Sequence, residues 1–264
     1  MITINDEKCN GCGLCARDCF TKLIEIKGKK AVISHNSCIS CGHCSAVCPQ
    51  DAIIVNKYDM SEVSSFNPQY MQIDADQLFG FMQYRRSVRQ FTNKPVEREK
   101  LDRIIEAGRY SPTGANIQTV RYIVLQNHLE DARRLAVEAL HKTALEKPDD
   151  PYHDTYIRIY ETAKQGQDIL FHNPSAVIGV LDHRLNNNVS ASIAASRMEL
   201  MANALGLGVC FIGLFVRAVD YEPQLNDLMG INSRYKMAAA LAVGYPAADY
   251  LRTVPRKKAK VEWK

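Results

Sequence analysis

Eight of the nine cysteines of this 264-residue chain fall between positions 9 and 48, in two runs of identical spacing. The runs are Cys9-x2-Cys12-x2-Cys15-x3-Cys19 and Cys38-x2-Cys41-x2-Cys44-x3-Cys48. Each cysteine of the first recurs 29 residues later, and at the same offset Ile4 recurs as Ile33, Gly13 as Gly42 and Ile24 as Ile53. This is an internal duplication, so each half is one structural unit packed against its twin.

The spacing points to chemistry. A cubane cluster needs thiolates converging from several directions, and one tight C-x2-C-x2-C loop supplies three of them. In the two-cluster pattern the cysteine after the x3 gap reaches across to the other cluster. One cluster is therefore expected on Cys9, Cys12, Cys15 and Cys48, and the other on Cys38, Cys41, Cys44 and Cys19. Crossed ligation also staples together a segment too short to bury much core of its own. Gly11, Gly13 and Gly42 suit loops in which the backbone must come close to sulfur. Zinc needs four ligands and no third cysteine at this interval. Disulfides conflict with a reducing compartment, and that compartment follows from the start MITINDEKCN, which lacks the basic-then-apolar profile of a secretion signal. A cytoplasmic protein is expected.

Over about 55 residues the chain resembles the bacterial two-cluster ferredoxins, with Pro49 after Cys48 but Phe20 after Cys19. The resemblance implies two [4Fe-4S] clusters in a domain spanning 1–56. Such clusters carry single electrons and perform no bond chemistry. The partner to that wiring is expected in the rest of the chain.

Hydrophobic residues make up 46% of the chain and charged residues 23%, as in globular proteins. No apolar run reaches the roughly 18 residues that cross a bilayer. A net charge of +4 is mild, and much of it lies in the tail RTVPRKKAKVEWK, without the aromatic-rich surface of a nucleic-acid binder. Neither membrane nor nucleic acid is an expected partner.

Residues 57–77, rich in Ser, Asn, Asp and Tyr without a sustained period, are expected to be a linker, and 78–264 a second domain. Helix signals mark PVEREKLDRIIEAGRYSP, with Pro95 at the start and Gly108 and Pro112 at the end. Strands are expected at 121–127, 176–182, 209–215 and 238–246, and helices around 129–145 and 156–171. SASIAASRMELMANALGLG (190–208) is apolar nearly all round, so a buried helix in the core or at a subunit interface is expected. Irregular alternation of strands and helices implies α+β rather than a doubly wound sheet. No G-x-G-x-x-G follows a strand, which argues against a Rossmann domain.

Within YRRSVRQF, Arg85, Arg86, Ser87 and Arg89 form a cluster suited to a phosphate, because guanidinium groups bind it bidentately. Downstream come YSPTGANIQTVRYIVL, LGLGVCFIG, and AVGYP followed by RTVPRK. These four elements, in this order, resemble the FMN-dependent nitroreductase family over residues 78–264. The resemblance implies that Arg85, Ser87 and Arg89, with Arg86 beside them, hold the FMN phosphate and ribityl chain. It implies that Pro112, Thr113 and Gly114 approach the flavin from a partner subunit, with Asn116 and Gln118 in support. Ile212 and Gly213 would lay backbone against the isoalloxazine, and Arg256 and Lys258 would form a C-terminal phosphate arm. Relatives often have NxQPWxF where this chain has NIQTVRY, a departure on the substrate side. Cys210 is expected to be a buried small hydrophobe.

The resemblance further implies an obligate homodimer and an oxidoreductase. Its catalytic chemistry would reside in FMN, fed by reduced ferredoxin or NAD(P)H and reducing a nitroaromatic, quinone or similar small-molecule acceptor. No dedicated acid–base residues are expected; His141, His153, His172 and His183 are scattered. An electron carrier between proteins is the second functional class, and a redox sensor the third.

Overall fold

The computed structural model describes residues 1–264 and forms two compact units. The smaller comprises Met1–Gln72 together with Thr113–Gln118, and the larger comprises Ile73–Pro112 and Thr119–Lys264.

The smaller unit carries the duplication in its hydrogen bonding. Strand β1 (Ile2–Ile4) pairs antiparallel with β4 (Ile53–Val55), and β2 (Ile24–Lys27) with β3 (Lys30–Ile33). The pair Ile4↔Ile53 is thus the counterpart of Ile33↔Ile24, so each strand of one copy is completed by a strand of the other. Helices α1 (Leu14–Asp18) and α2 (His43–Ala46) occupy equivalent places. Both start from a glycine in the left-handed region, Gly13 and Gly42, each with φ of 78°, a conformation that costs other residues roughly 1–2 kcal/mol. Ile2, Leu23, Ile24, Ala31, Ala52, Ile53 and Val55 form a thin core shared with Cys9, Cys15, Cys19 and Cys44. The segment after β4 has two short 3-10 turns, Met60–Glu62 and Pro68–Met71.

The larger unit is built on a four-stranded sheet of order β5-β6-β8-β7, antiparallel throughout. Its strands are β5 (Arg121–Leu125), β6 (Ala176–His183), β7 (Gly208–Phe211) and β8 (Tyr235–Gly244). Helices cover both faces, so β6 is apolar without alternation from Ala176 to Leu181, with the buried Asp182 following. Its Val177 and Leu181 face one layer, with α5 (Leu129–Glu146), α6 (His153–Lys164), α8 (Gly213–Tyr221) and α9 (Pro223–Leu228). Ala176, Ile178 and Val180 face the other, with α4 (Arg98–Arg109) and α7 (Val189–Ala204). Helix α3 (Ala75–Tyr84) precedes the sheet.

Some local expectations change. The apolar run at 209–215 splits, because the strand ends at Phe211 and α8 starts at Gly213. Its buried Phe215, Ala218 and Val219 stand at helical spacing, which a short apolar run cannot distinguish from a strand. The helix expected at 156–171 lies at His153–Lys164, ending before Gly166 with φ of 78°. Beyond it Asp168 Oδ1 accepts from the backbone N–H of Leu170 and Phe171 and takes over the chain's direction. The helix expected to reach 208 stops at Ala204, closed by Gly206 with φ of 76°. No helix is long and apolar enough to cross a membrane.

Candidate functional site

In the smaller unit the eight duplicated cysteines line two separate pockets. One is lined by Cys9, Cys12, Cys15 and Cys48. The other is lined by Cys19, Cys38, Cys41 and Cys44. Each combines three thiols from one copy with the last thiol of the other copy. None of the nine cysteines is in a disulfide. No three His, Cys, Asp or Glu side chains converge as a single metal ion requires; the thiols instead ring a volume.

Backbone donors point at the sulfurs: Ala31 N–H to Cys9 Sγ at 3.4 Å, Ser40 N–H to Cys38 Sγ at 3.4 Å, and Ala52 N–H to Cys48 Sγ at 3.3 Å. Such hydrogen bonds stabilise negative sulfur. Burial pushes the Cys15 thiol up, and pushes Cys44 up to about 11. Burial also works to raise Cys19, but hydrogen bonds from the Thr21 side chain and nearby backbone outweigh it and lower that thiol. Bound iron supplies the positive charge that deprotonates such thiols. An apolar, four-thiol pocket with aimed N–H groups therefore fits an iron–sulfur cluster.

The larger unit holds the cationic segment. Val88 N–H donates to Val209 O at 3.0 Å, and Ser87 bridges Val209 in parallel, so residues 85–89 run along β7. The approach needs Gly208, where a Cβ would stand 2.5 Å from Val88. β7 then leads to Ile212, whose N–H is held by Ala240 O at 2.9 Å, and to Gly213 at the start of α8. Phe91 packs on Gly244 and bridges Pro246. Three elements distant in sequence, YRRSVRQF, VCFIG and AVGYP, are thus adjacent.

Within this site Arg85 Nη1 donates to Glu199 Oε1 at 2.5 Å. Glu199 is a buried carboxylate on α7, raised by burial and pulled back by Arg85. The pair sets the direction of Arg85. The sequence signal for Glu199 was there to find: it is the one acidic residue of α7, on the helix's buried side, while the other charged residue, Arg197, is exposed. Burial likewise raises the Cys210 thiol, against the pull of the Arg89 guanidinium, which hydrogen-bonds it. Arg86 and Ser87 are half-buried beside them. Arg256 and Lys258 lie in an exposed, irregular tail that nothing ties to this site.

Pro112 belongs to the larger unit, whereas Thr113, Gly114, Asn116 and Gln118 belong to the smaller. There the Asn116 side-chain N–H groups donate to Ser40 O at 2.8 Å and Ile39 O at 3.2 Å, and to the Tyr58 hydroxyl at 3.1 Å. Gln118 Nε2 donates to the same hydroxyl at 2.7 Å. Tyr58 and Ser40 carried no mark in the sequence, because only the fold brings positions this far apart together. At the departure NIQTVRY, the Thr119 hydroxyl donates to Asp182 Oδ1 at 3.1 Å and meets Asn186 Nδ2 at 2.8 Å. Asp182 is fully buried, and its Oδ1 also accepts from Asn186 and from His183 N–H. A proline at 119 would remove this network's hydroxyl.

Among known families, the nitroreductase family model matches residues 82–245, more than half of the chain. The chain belongs to the nitroreductase family. A 4Fe-4S dicluster domain model matches residues 1–59 of this nitroreductase-family chain. FMN reductase [NAD(P)H] of Bacillus subtilis is 29% identical over 163 residues, covering 61% of this chain and 63% of that protein. The chain thus spans less than two thirds of that relative's length. Iodotyrosine deiodinase of Hydra vulgaris is 27% identical over 190 residues, covering 68% of each. In fold it is similar to a nitroreductase with bound FMN from Desulfitobacterium hafniense (TM-score 0.56, 23% identity, 72% of this chain and 100% of that one). It is also similar to a BluB-like flavoprotein from Clostridium difficile (TM-score 0.56, 21% identity, 69% and 94%). The family's α+β fold is the architecture of the larger unit.

Proposed function

We propose that this protein is an iron–sulfur flavoprotein oxidoreductase. Cys9, Cys12, Cys15 and Cys48 hold one [4Fe-4S] cluster, Cys19, Cys38, Cys41 and Cys44 hold a second, and the larger unit of a homodimer holds FMN. The observation that carries the reading is the partition of eight thiols into two twin pockets on a nitroreductase-family chain. When bound, the clusters carry single electrons and FMN collects two for an organic acceptor.

The chain's own groups position and tune. Arg86, Ser87 and Arg89 offer phosphate donors on a segment locked to β7, and Glu199 holds Arg85 in place beside them. Arg256 and Lys258 add phosphate contacts from the tail, and the backbone at Ile212 and Gly213 forms the flavin floor. Pro112, Thr113 and Gly114 would reach the flavin from the partner subunit. The acceptor is an electron-poor aromatic: reduction of a quinone takes two electrons from the protein and two protons from solvent. The donor is a reduced ferredoxin, for which the cluster unit is the inlet. NAD(P)H is the competing donor, the one used by name in the similar FMN reductase of Bacillus subtilis. A relay between proteins is the second reading, favoured by the cluster unit itself, since a hydride donor needs no clusters.

The test is anaerobic. Protein loaded with iron and FMN is mixed separately with NADH, NADPH and reduced ferredoxin while flavin and cluster absorbance are followed. Ferredoxin alone is expected to bleach the flavin, with the clusters leading, and a quinone then to restore the colour. If NAD(P)H bleaches the flavin first and no small acceptor restores it, the protein is a carrier and the enzyme reading is lost.

A further inference from the structure

We infer that Lys30 makes the two thiol pockets electrically unequal, so that the cluster held by Cys9, Cys12, Cys15 and Cys48 has the higher reduction potential and takes the first electron. This rests on the two-cluster reading above and concerns the smaller unit alone. One electron passes from an external reductant, such as reduced ferredoxin, to that cluster; no bond is made or broken.

The ammonium of Lys30 is built into the loop of the first pocket. Its Nζ donates to Asp6 O and Cys9 O, both at 2.6 Å. The side chain is half-buried, and its partners are two carbonyls, with no carboxylate to cancel the charge. The turn that carries it is pressed onto the same loop: a Cβ at Gly11 would stand 2.2 Å from Lys29 O. Lys29 itself holds a left-handed φ of 64°. The next residue, Ala31, aims its N–H at Cys9 Sγ.

The duplication supplies the control. Ile33 corresponds to Ile4, so position 30 corresponds to Met1, an exposed residue with an uncharged side chain. No half-buried cation therefore stands over the loop of Cys38 in the way that Lys30 stands over that of Cys9. The other charged side chains beside the cysteines are exposed, including the Lys8–Asp51 pair at 3.5 Å and the His43–Asp18 pair at 3.4 Å. Exposed charges are screened and contribute little.

Solvent access acts in the same direction as Lys30. Cys12 of the first pocket is exposed, whereas no thiol of the second pocket is, and exposure and local charge both tune a cluster's potential. Hydrogen bonds to sulfur act the other way, because Cys19 meets the Thr21 hydroxyl at 3.5 Å and the backbone of Leu23 and Ile24. These donors carry fractional charges, and Coulomb energy scales with charge, so the full charge of Lys30 outweighs them.

The test is a redox titration of the full chain loaded with iron and FMN, followed anaerobically by EPR and cluster absorbance. The wild type is expected to reduce its clusters in two separate one-electron steps. Lys30→Gln keeps an N–H donor for the carbonyls and removes the charge. It should weaken the upper step by about tenfold, or about 59 mV for one electron, and leave the lower step in place. Lys30→Arg should restore the upper step. Thr21→Val, which alters the second pocket, should move the lower step alone. Salt raised to about 0.5 M should leave most of the gap, since a half-buried charge is screened little. A single common step in the wild type, collapse of the gap in salt, an unmoved upper step in Lys30→Gln, or a moved upper step in Thr21→Val would overturn the inference. Should Lys30→Gln lose its iron, the wild-type steps, their response to salt and Thr21→Val still decide. The two-cluster reading fails separately, if iron and sulfide analysis finds one cluster per chain.

Discussion

Beside the cysteines, the core of the smaller unit is seven aliphatic residues, and four of its eleven buried members are cysteines. The larger unit buries 24 hydrophobic residues on one face of its sheet and 16 on the other. A segment near 70 residues with so little apolar burial falls short of the conformational entropy it must overcome. The larger unit has enough burial to stand on packing alone. The contrast teaches where each half of the protein is vulnerable: one through its iron, the other through its side-chain volumes.

The largest effect that would break this comparison is removal of iron. Chelation under anaerobic conditions should abolish amide-exchange protection across β1–β4 while the thermal transition of the larger unit stays in place. Retained protection in the smaller unit would mean that its thin core suffices, and the contrast would be gone. Next in size, Leu101→Ala in α4 or Phe215→Ala in α8 should cost about 2–5 kcal/mol in urea unfolding of the larger unit. Both are fully buried. Iron–sulfur absorbance should be unchanged by either.

A smaller effect sharpens the comparison at the proposed flavin site. Gly208→Ala forces a methyl against Val88 and should cost about 1–3 kcal/mol by overpacking. FMN affinity should fall with it, and Val88→Ala should restore both; independent, additive losses would separate the segment 85–89 from β7. The smallest effect concerns pH. Burial raises Glu199, so between its unfolded and folded values the native state binds more protons than the unfolded one. That contribution is fully present below the unfolded carboxylate value, near 4.5, and is lost as pH rises through the folded one. Urea unfolding of the wild type should therefore weaken with rising pH just above 4.5, and Glu199→Gln should flatten that slope. A steeper slope in the variant would assign the effect to another group.

Much of the smaller unit was legible in advance. Thiol spacing and a repeat offset of 29 are properties of the chain, and the crossed grouping of the cysteines is read from them; the crossed pairing of the strands came only with the fold. The α+β class was legible too, because runs such as AVIGVL (176–181) are apolar without alternation, as strands covered on both faces are. Boundaries were harder where one apolar run served two elements, as at Phe211 and Gly213. Tyr58 and Ser40 were out of reach, since each matters through a partner more than fifteen positions away.

By itself, the sequence determined which atoms could bind iron, because metal ligation depends on residue type and local spacing. It also determined the α+β class of the larger unit, because element type follows from the pattern of apolar residues along the chain. Only the tertiary structure decided which way the polar side chains turned. Asn116 and Gln118 engage the Cys38 loop and Tyr58, and Arg85 engages Glu199. Hydrogen bonds and ion pairs act over about 3 Å, and no rule of local spacing says which distant groups the folded chain will bring that close.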